Sequence, residues 1–396
     1  MMTLLLIIIY VSFISLGLPD SLLGSAWPAM QHDFAVPVSY AGIVSMIIAG
    51  GTIVSSFFSD SVIRKWGTGF VTTISVLMTA VALLGFGIAP SFIWLCVLAI
   101  PLGLGAGSVD AALNNFVALH YKAKHMNWLH SFWGIGATAG PAIMSMYLIG
   151  DSNWNMGYLT IGFIQISLVV ILILTIPLWR RATPAAAAPG EEGSAVAIMK
   201  RSDMLKIKGM KPALIAFFTY CALEATAGLW GSSFLVIHRG ISAETAAKWI
   251  SLFYLGITLG RIASGFMTTK LNNVTMIRLG LGGIAVGVLS LLLPIGDFVF
   301  PIGLLLIGLG CAPIYPSMLH QTPHNFGKEL SQSVMGVQMA SAYVGATLMP
   351  PLFGLIAEHV NIAWFPYFLM AILLLMIFMS EKTNRAVAER LHAKLT

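Results

Sequence analysis

The sequence predicts an all-α polytopic membrane protein: twelve transmembrane helices arranged as two six-helix pseudo-repeats. Three observations carry that prediction. Of 396 residues, 58% are hydrophobic and 9% charged, a composition that leaves too little polar surface to hydrate a soluble domain of this size. The hydrophobic residues fall in runs long enough to cross a bilayer, which takes about 20 residues of helix. The second half of the chain also repeats landmarks of the first at a nearly constant spacing.

The runs lie at 3–32, 38–60, 68–88, 91–120, 127–149 and 155–179, then, after a polar interval, at 212–237, 245–268, 274–295, 298–320, 331–356 and 362–380. They are far longer than the strands of a membrane barrel and lack strict two-residue alternation, so they are helices. The first run has no basic segment and no small-residue cleavage site ahead of it, so a removable signal peptide is not expected. Cys96, Cys221 and Cys311 fall inside runs without a pairing pattern, which points to apolar packing rather than disulfides or a metal site.

Charge orients the runs. With the N-terminus inside, all of the 21 basic residues except Arg239, Lys248 and Arg261 fall in interior segments. This is the positive-inside asymmetry, and it places both termini in the cytoplasm of a bacterial inner-membrane protein. The net charge of +6 therefore needs no nucleic-acid partner. The interval 181–210 contains Thr183-Pro-Ala-Ala-Ala-Ala-Pro-Gly190 followed by mixed charges, a linker composition, with room for a short interfacial helix around Val196 to Lys208. The organisation is thus residues 1–180, a first bundle; 181–210, a cytoplasmic linker; 211–382, a second bundle; and 383–396, a cytoplasmic tail.

The two bundles share a register. Asp20 corresponds to Glu224 and Gly24 to Gly228 at a shift of 204, Gly51 to Gly256 and Gly105 to Gly310 at 205, and Pro141 to Pro350 at 209. Two parallel repeats with a site at their interface is the plan of major facilitator transporters. The stretch Ser56-Phe-Phe-Ser-Asp60-Ser-Val-Ile-Arg64-Lys65-Trp-Gly67 resembles that superfamily's signature loop between helices two and three, with Ser56 and Ile63 in place of the usual glycines. Gly103-Leu-Gly-Ala-Gly-Ser-Val-Asp110-Ala-Ala-Leu-Asn114-Asn115-Phe116, Leu129-His130-Ser-Phe-Trp-Gly134-Ile-Gly136, Tyr220-Cys-Ala-Leu-Glu224, Gly260-Arg261-Ile-Ala-Ser-Gly265 and Gly308-Leu-Gly310-Cys-Ala-Pro313-Ile-Tyr-Pro316 are similar to the fucose and glucose proton symporter family. The resemblance implies proton-coupled sugar transport and matches Asp110 to an acid implicated in that coupling. The family's first-helix acid stands nearer Pro28 than Asp20.

The residues point to a similar chemistry. Acids within apolar spans face a bundle interior or a water-filled path and serve ions or polar solutes. Removal from water favours the neutral form of a carboxyl group, and alternation between the two forms is what proton coupling requires. Asp110, Glu224 and Asp20 are the candidates, and each has a second reading as a neutral acid hydrogen-bonded to a neighbouring helix. Asn114 shares a helical face with Asp110, and Asn115 follows it; an amide offers a sugar hydroxyl both donor and acceptor. Trp27, Trp133, Trp230, Tyr254 and Tyr315 can present an aromatic face to a sugar ring, and Gln165 and Gln338 further amides; packing and interfacial anchoring compete for each of these. Asp60, Arg64 and Arg261 are candidates for inner-gate ion pairs. His130 and His320 are expected at cytoplasmic edges.

The expected partners are a small solute of the sugar class, protons and the lipid bilayer, with the proton gradient as energy source, no cofactor, and a functional monomer. Two other functions stay open. Gly136-Ala-Thr-Ala-Gly140-Pro141 is similar to the fifth-helix motif of drug–proton antiporters, which makes proton-driven efflux of sugars or amphipathic drugs the alternative. A membrane enzyme or receptor would need a nucleophile elbow, metal cluster, phosphate loop or extramembrane domain, and the sequence displays none of these.

Overall fold

The computed structural model describes residues 2–121, 123–149, 153–182, 205–268, 270–293, 296–327 and 330–392. Among these the regular structure is helical throughout. In chain order the spanning helices are α1 (Met2–Asp33), α2 (Tyr40–Trp66), α3 (Thr68–Gly87), α4 (Phe92–His120), α5 (Ala123–Tyr147), α6 (Trp154–Ala182), α7 (Met210–His238), α8 (Ala243–Met267), α9 (Asn273–Leu292), α10 (Val299–Phe326), α11 (Ser331–Ile356) and α12 (Phe365–His392). Ten stretches are long and apolar enough to cross a membrane. One of them holds both α11 and α12, which fold back through a π-turn at Ala357–Asn361 and a short 3-10 turn at Ile362–Trp364. The more polar α5 completes the twelve.

Several helices outrun their hydrophobic runs. The stretch resembling a signature loop is helical as far as Trp66, and the turn comes only at Gly67, whose φ of 80° is the left-handed region that glycine enters without strain. Its N–H closes the helix on the Ile63 carbonyl at 2.7 Å. α10 continues to Phe326, and α12 continues to His392, through the first part of the segment 383–396 that the sequence assigns to a tail. Hydropathy registers only the lipid-crossing part of a helix, whereas backbone hydrogen bonding carries it on into water until a breaker intervenes. Residues 183–204 of the expected linker, with most of its interfacial helix, lie outside the described residues.

The repeat register reappears as packing. Gly51 of α2 lies against Gly103 and Leu104 of α4, and its counterpart Gly256 of α8 lies against Leu305 and Leu309 of α10. Gly105 faces the Ser75 carbonyl of α3, and Gly310 faces the Gly280 carbonyl of α9. Gly136 of α5 meets the Ile14 carbonyl of α1, and Gly345 of α11 meets the Phe218 carbonyl of α7; Ile14 and Phe218 differ by the same 204, Gly136 and Gly345 by the same 209, that the sequence shows. In each place a β-carbon would strike the backbone of the facing helix. These are the close contacts that small residues provide in membrane bundles.

The apolar core divides into three clusters. One runs through both halves, including Trp27, Phe86, Trp230 and Phe353, and in the C-terminal half continues to Ile277 and Met318. On the inner side the N-terminal half has its own cluster around Phe13, Phe116 and Trp179, and the C-terminal half another around Met210 and Phe326. Of these clusters only the first crosses between the halves. Cross-half contacts agree: Ser39 donates to the Glu358 carboxylate, Gly42 abuts the Pro351 backbone, and Gly24 abuts the backbone of Gly228 and Leu229.

Candidate functional site

Asp20 owes its position to Pro19. Proline has no N–H, so the Ser15 carbonyl one turn earlier loses its helical partner. Gln165 of α6 replaces it, its Nε2 donating to Ser15 at 2.8 Å while its Oε1 accepts from Thr79 Oγ1 at 2.6 Å. α1 breaks at Ser21, between segments Met2–Asp20 and Leu22–Asp33. Asp20 stands at that break with its side chain solvent-accessible inside the body of the protein. Trp133 of α5 donates its indole N–H to Asp20 Oδ2 at 2.7 Å.

Asp110 lies about 15 Å from the inner end of α4, counting to His120 at about 1.5 Å per residue. Its Oδ1 accepts from Asn114 Nδ2 at 2.8 Å, and the same amide reaches the Asp110 carbonyl at 2.9 Å. Both side chains are half-buried, while Asn115 is exposed. Asp110 is close enough for its charge to act on Asp20 and on Tyr315 and Tyr343 of the opposite half. Toward the inner side of this pair, Ala118 on the face of Asp110 and Asn114 is exposed, as are Gly336, Met339 and Ala340 on the face of Tyr343. The space between α4 and α11 therefore opens toward the end of the bundle that carries His120.

Glu224 is half-buried on α7. Its charge acts on Tyr220, Cys221, Tyr254, Cys311 and Tyr315, and Asp20 also acts on Tyr254. The counterpart acids of the two halves thus share a tyrosine. Arg261 of α8 crosses the seam in the other direction, its guanidinium 4.9 Å from the centre of the Trp133 ring. Beside it Gly134 packs on the Thr258 side chain, and Thr138 Oγ1 lies 3.4 Å from Thr258 Oγ1. His130 is exposed at an edge-on contact with Phe13, 5.9 Å between ring centres, within reach of the Arg261 charge.

The structure therefore brings together Asp20, Asp110, Asn114, Trp133, Glu224, Tyr254, Arg261 and Tyr315 between the halves. Four of the candidates for solute contact sit elsewhere. Trp27 is fully buried at the outer side, donating to the Val38 carbonyl at 2.9 Å beside Phe92. Trp230 is equally buried, donating to the Pro350 carbonyl at 2.8 Å beside Phe353. Gln165 serves the α1 break, and Gln338 accepts from Thr322 Oγ1 at 2.8 Å inside the C-terminal bundle. Arg64 stands in the last turn of α2; the side chain of Asp60 lies outside the described residues. His320 of α10 pairs with Asn273 of α9 at 3.0 Å. Tyr343 and Thr258 were missed by sequence reading, although the 209 shift carries Tyr343 onto Gly134, next to Trp133. Cys96, Cys221 and Cys311 are free thiols, and no metal-ligand cluster occurs among the described residues.

The Major Facilitator Superfamily model matches residues 9–339 and 213–390. Curated relatives include Bypass of stop codon protein 6 of Saccharomyces cerevisiae, 23% identical with 90% of this chain and 77% of that protein covered. The glucose/mannose transporter GlcP of Bacillus subtilis is 22% identical, with 87% and 86% covered. Three solved structures share the fold: the nucleoside transporter NupG (TM-score 0.77, 13% identity, 96% of this chain and 98% of that one), a D-xylose-proton symporter (0.76, 12%, 95% and 96%) and the E. coli fucose:proton symporter FucP (0.60, 16%, 96% and 98%). At such identities the structural likeness speaks for the fold alone.

Proposed function

The chain belongs to the major facilitator superfamily, whose members are membrane transporters rather than enzymes, and on that premise we propose that it takes up a monosaccharide or related polyol together with protons by alternating access. The observation that carries this reading is the Asp110–Asn114 pair, an acid and an amide hydrogen-bonded to each other on a face that looks across the open space between the halves. Asn114 and Asn115 offer the solute hydroxyl partners, and Trp133, Tyr254 and Tyr315 offer it ring faces. Asp110, Glu224 and Asp20 carry the proton. Trp27, Trp230, Gln165 and Gln338 support the helices that present these groups. The names of relatives, a glucose/mannose transporter and sugar-proton symporters, favour the sugar class.

The energetics suffice. A potential of 100 mV contributes about 2.3 kcal/mol per charge moved, enough for roughly fifty-fold accumulation of a neutral sugar with one proton. The protein works as a monomer in a bacterial cytoplasmic membrane with both termini inside, Asp60 and Arg64 lie at the inner gate, and no cofactor takes part. The glycines of the antiporter-like motif have a packing role here, since Gly136 and Gly140 let α5 approach the Ile14 and Leu18 carbonyls beside the α1 break.

The test is reconstitution in liposomes with a pH electrode in the medium and a panel of hexoses, 6-deoxyhexoses and polyols. Alkalinisation on adding one sugar class supports the proposal. Silence toward every sugar, with dye or drug efflux under an imposed proton gradient, selects the antiporter alternative.

A further inference from the structure

Arg261 is an unusual group for its position. It is half-buried on α8, about 9 Å from the inner end at Met267 by helical rise, and a guanidinium stays charged at any physiological pH. Among the described residues it makes no hydrogen bond and no ion pair, and its guanidinium carbon lies 4.9 Å from the centre of the Trp133 ring. The ring attracts the charge without accepting a hydrogen bond in the manner of a carboxylate, and no N–H of the guanidinium has a hydrogen-bond acceptor among the described residues. Glu224 acts electrostatically on the same Tyr220, Cys221 and Cys311 that Arg261 does, yet stands beyond ion-pair reach. A cation and an acid thus surround one space without closing on each other, and Trp133 fixes the cation to Asp20 on the far side.

We infer that Arg261 is the anchor for a carboxylate on the transported solute. Resting on the sugar reading above, this makes the preferred solute a sugar acid of the uronate class rather than a neutral hexose. A carboxylate presents two coplanar oxygens to the guanidinium fork, a match that a hydroxyl does not offer. The ring hydroxyls then fall to the amides and acids between the halves, and the sugar ring to Trp133. A sugar anion entering with one proton carries no net charge and is driven by the pH gradient; a second proton restores the electrical drive.

The test is calorimetric binding to the purified full chain in nanodiscs at fixed pH and salt, with glucuronate and galacturonate, their parent hexoses, and adipate, a carboxylate without hydroxyls. The inference predicts that a uronate binds at least about tenfold tighter than its hexose, as expected for charge-assisted hydrogen bonds. Arg261→Gln erases that preference, and Arg261→Lys, which keeps charge without the fork, retains part of it. Equal binding of hexose and uronate, or an unchanged preference in Arg261→Gln, overturns the inference and leaves the sugar reading standing. Arg261-dependent binding of adipate with no binding of any sugar upholds the anchor and overturns the sugar reading. No binding of any of these ligands overturns both. Should Arg261→Gln fail to elute as a single folded species, the wild-type ranking of the three ligand types decides.

Discussion

Two seams hold the halves together, and the repeat makes them equivalents: α5 against α8 on one side, α11 against α2 on the other. They have diverged in chemistry. The α5–α8 seam is polar and deep, with Gly134 on Thr258, Arg261 over Trp133, and Trp133 bonded to Asp20. The α2–α11 seam lies at the outer surface, where Gly42 meets the Pro351 backbone and Ser39 bonds Glu358. A duplicated scaffold supplies two matching hinges. On the proposed function, one of them lines the site and the other closes the outer end.

The largest expected contrast comes from adding one methyl group to each seam. At Gly42 a β-carbon would stand 2.7 Å from the Pro351 Cα, backbone that cannot swing aside. Gly42→Ala should cost the outer seal about 1–3 kcal/mol. At Gly134 the obstacle is the Thr258 side chain, which can turn. Spin labels at the exposed outer positions Ile88 and Val360 should report a shift to longer distances in Gly42→Ala and little change in Gly134→Ala. The reverse order would mean that the deep seam, not the outer one, holds the outer end closed.

A smaller effect separates the two functions of Trp133. Trp133→Phe keeps a ring under Arg261 and removes the N–H donated to Asp20, a bond to a charged group worth about 1.5–3 kcal/mol; transport in liposomes should fall about tenfold. Trp133→Leu also removes the ring and should fall further. Equal loss in both would assign the whole effect to the hydrogen bond. The smallest effect is Glu358→Gln, because an exposed charged contact contributes about 0.2–1 kcal/mol; the same label pair should move by less than about fivefold in population.

How much of this was legible in the sequence follows from what sequence patterns encode. Hydropathy marked the spans, because the bilayer imposes their length and composition directly. The 204, 205 and 209 shifts gave the repeat, because backbone-to-backbone contact demands glycine at matched places such as Gly51 and Gly256. Asp110 and Asn114 were legible as an i, i+4 pair, and they are bonded as that spacing implies. Trp27 and Trp230 show the limit: an indole N–H finds a carbonyl in the core as readily as a solute, and only the fold reveals the Val38 and Pro350 carbonyls waiting for them. Gln165 was visible as a buried amide, but its partner, the Ser15 carbonyl freed by Pro19, belongs to another helix. Arg261 on Trp133 was hidden for the same reason, since the residues come from different halves.

The central claim is that an acid on the open face between the halves carries the proton that drives sugar entry. Its most direct test is to measure sugar flux and proton flux in the same vesicles for the wild type and Asp110→Asn. The account predicts that the wild type alkalinises the medium as sugar enters, and that Asp110→Asn loses the proton movement and at least about a hundredfold of gradient-driven accumulation while still exchanging sugar across the membrane. Sugar-linked proton movement in Asp110→Asn equal to that of the wild type would contradict it.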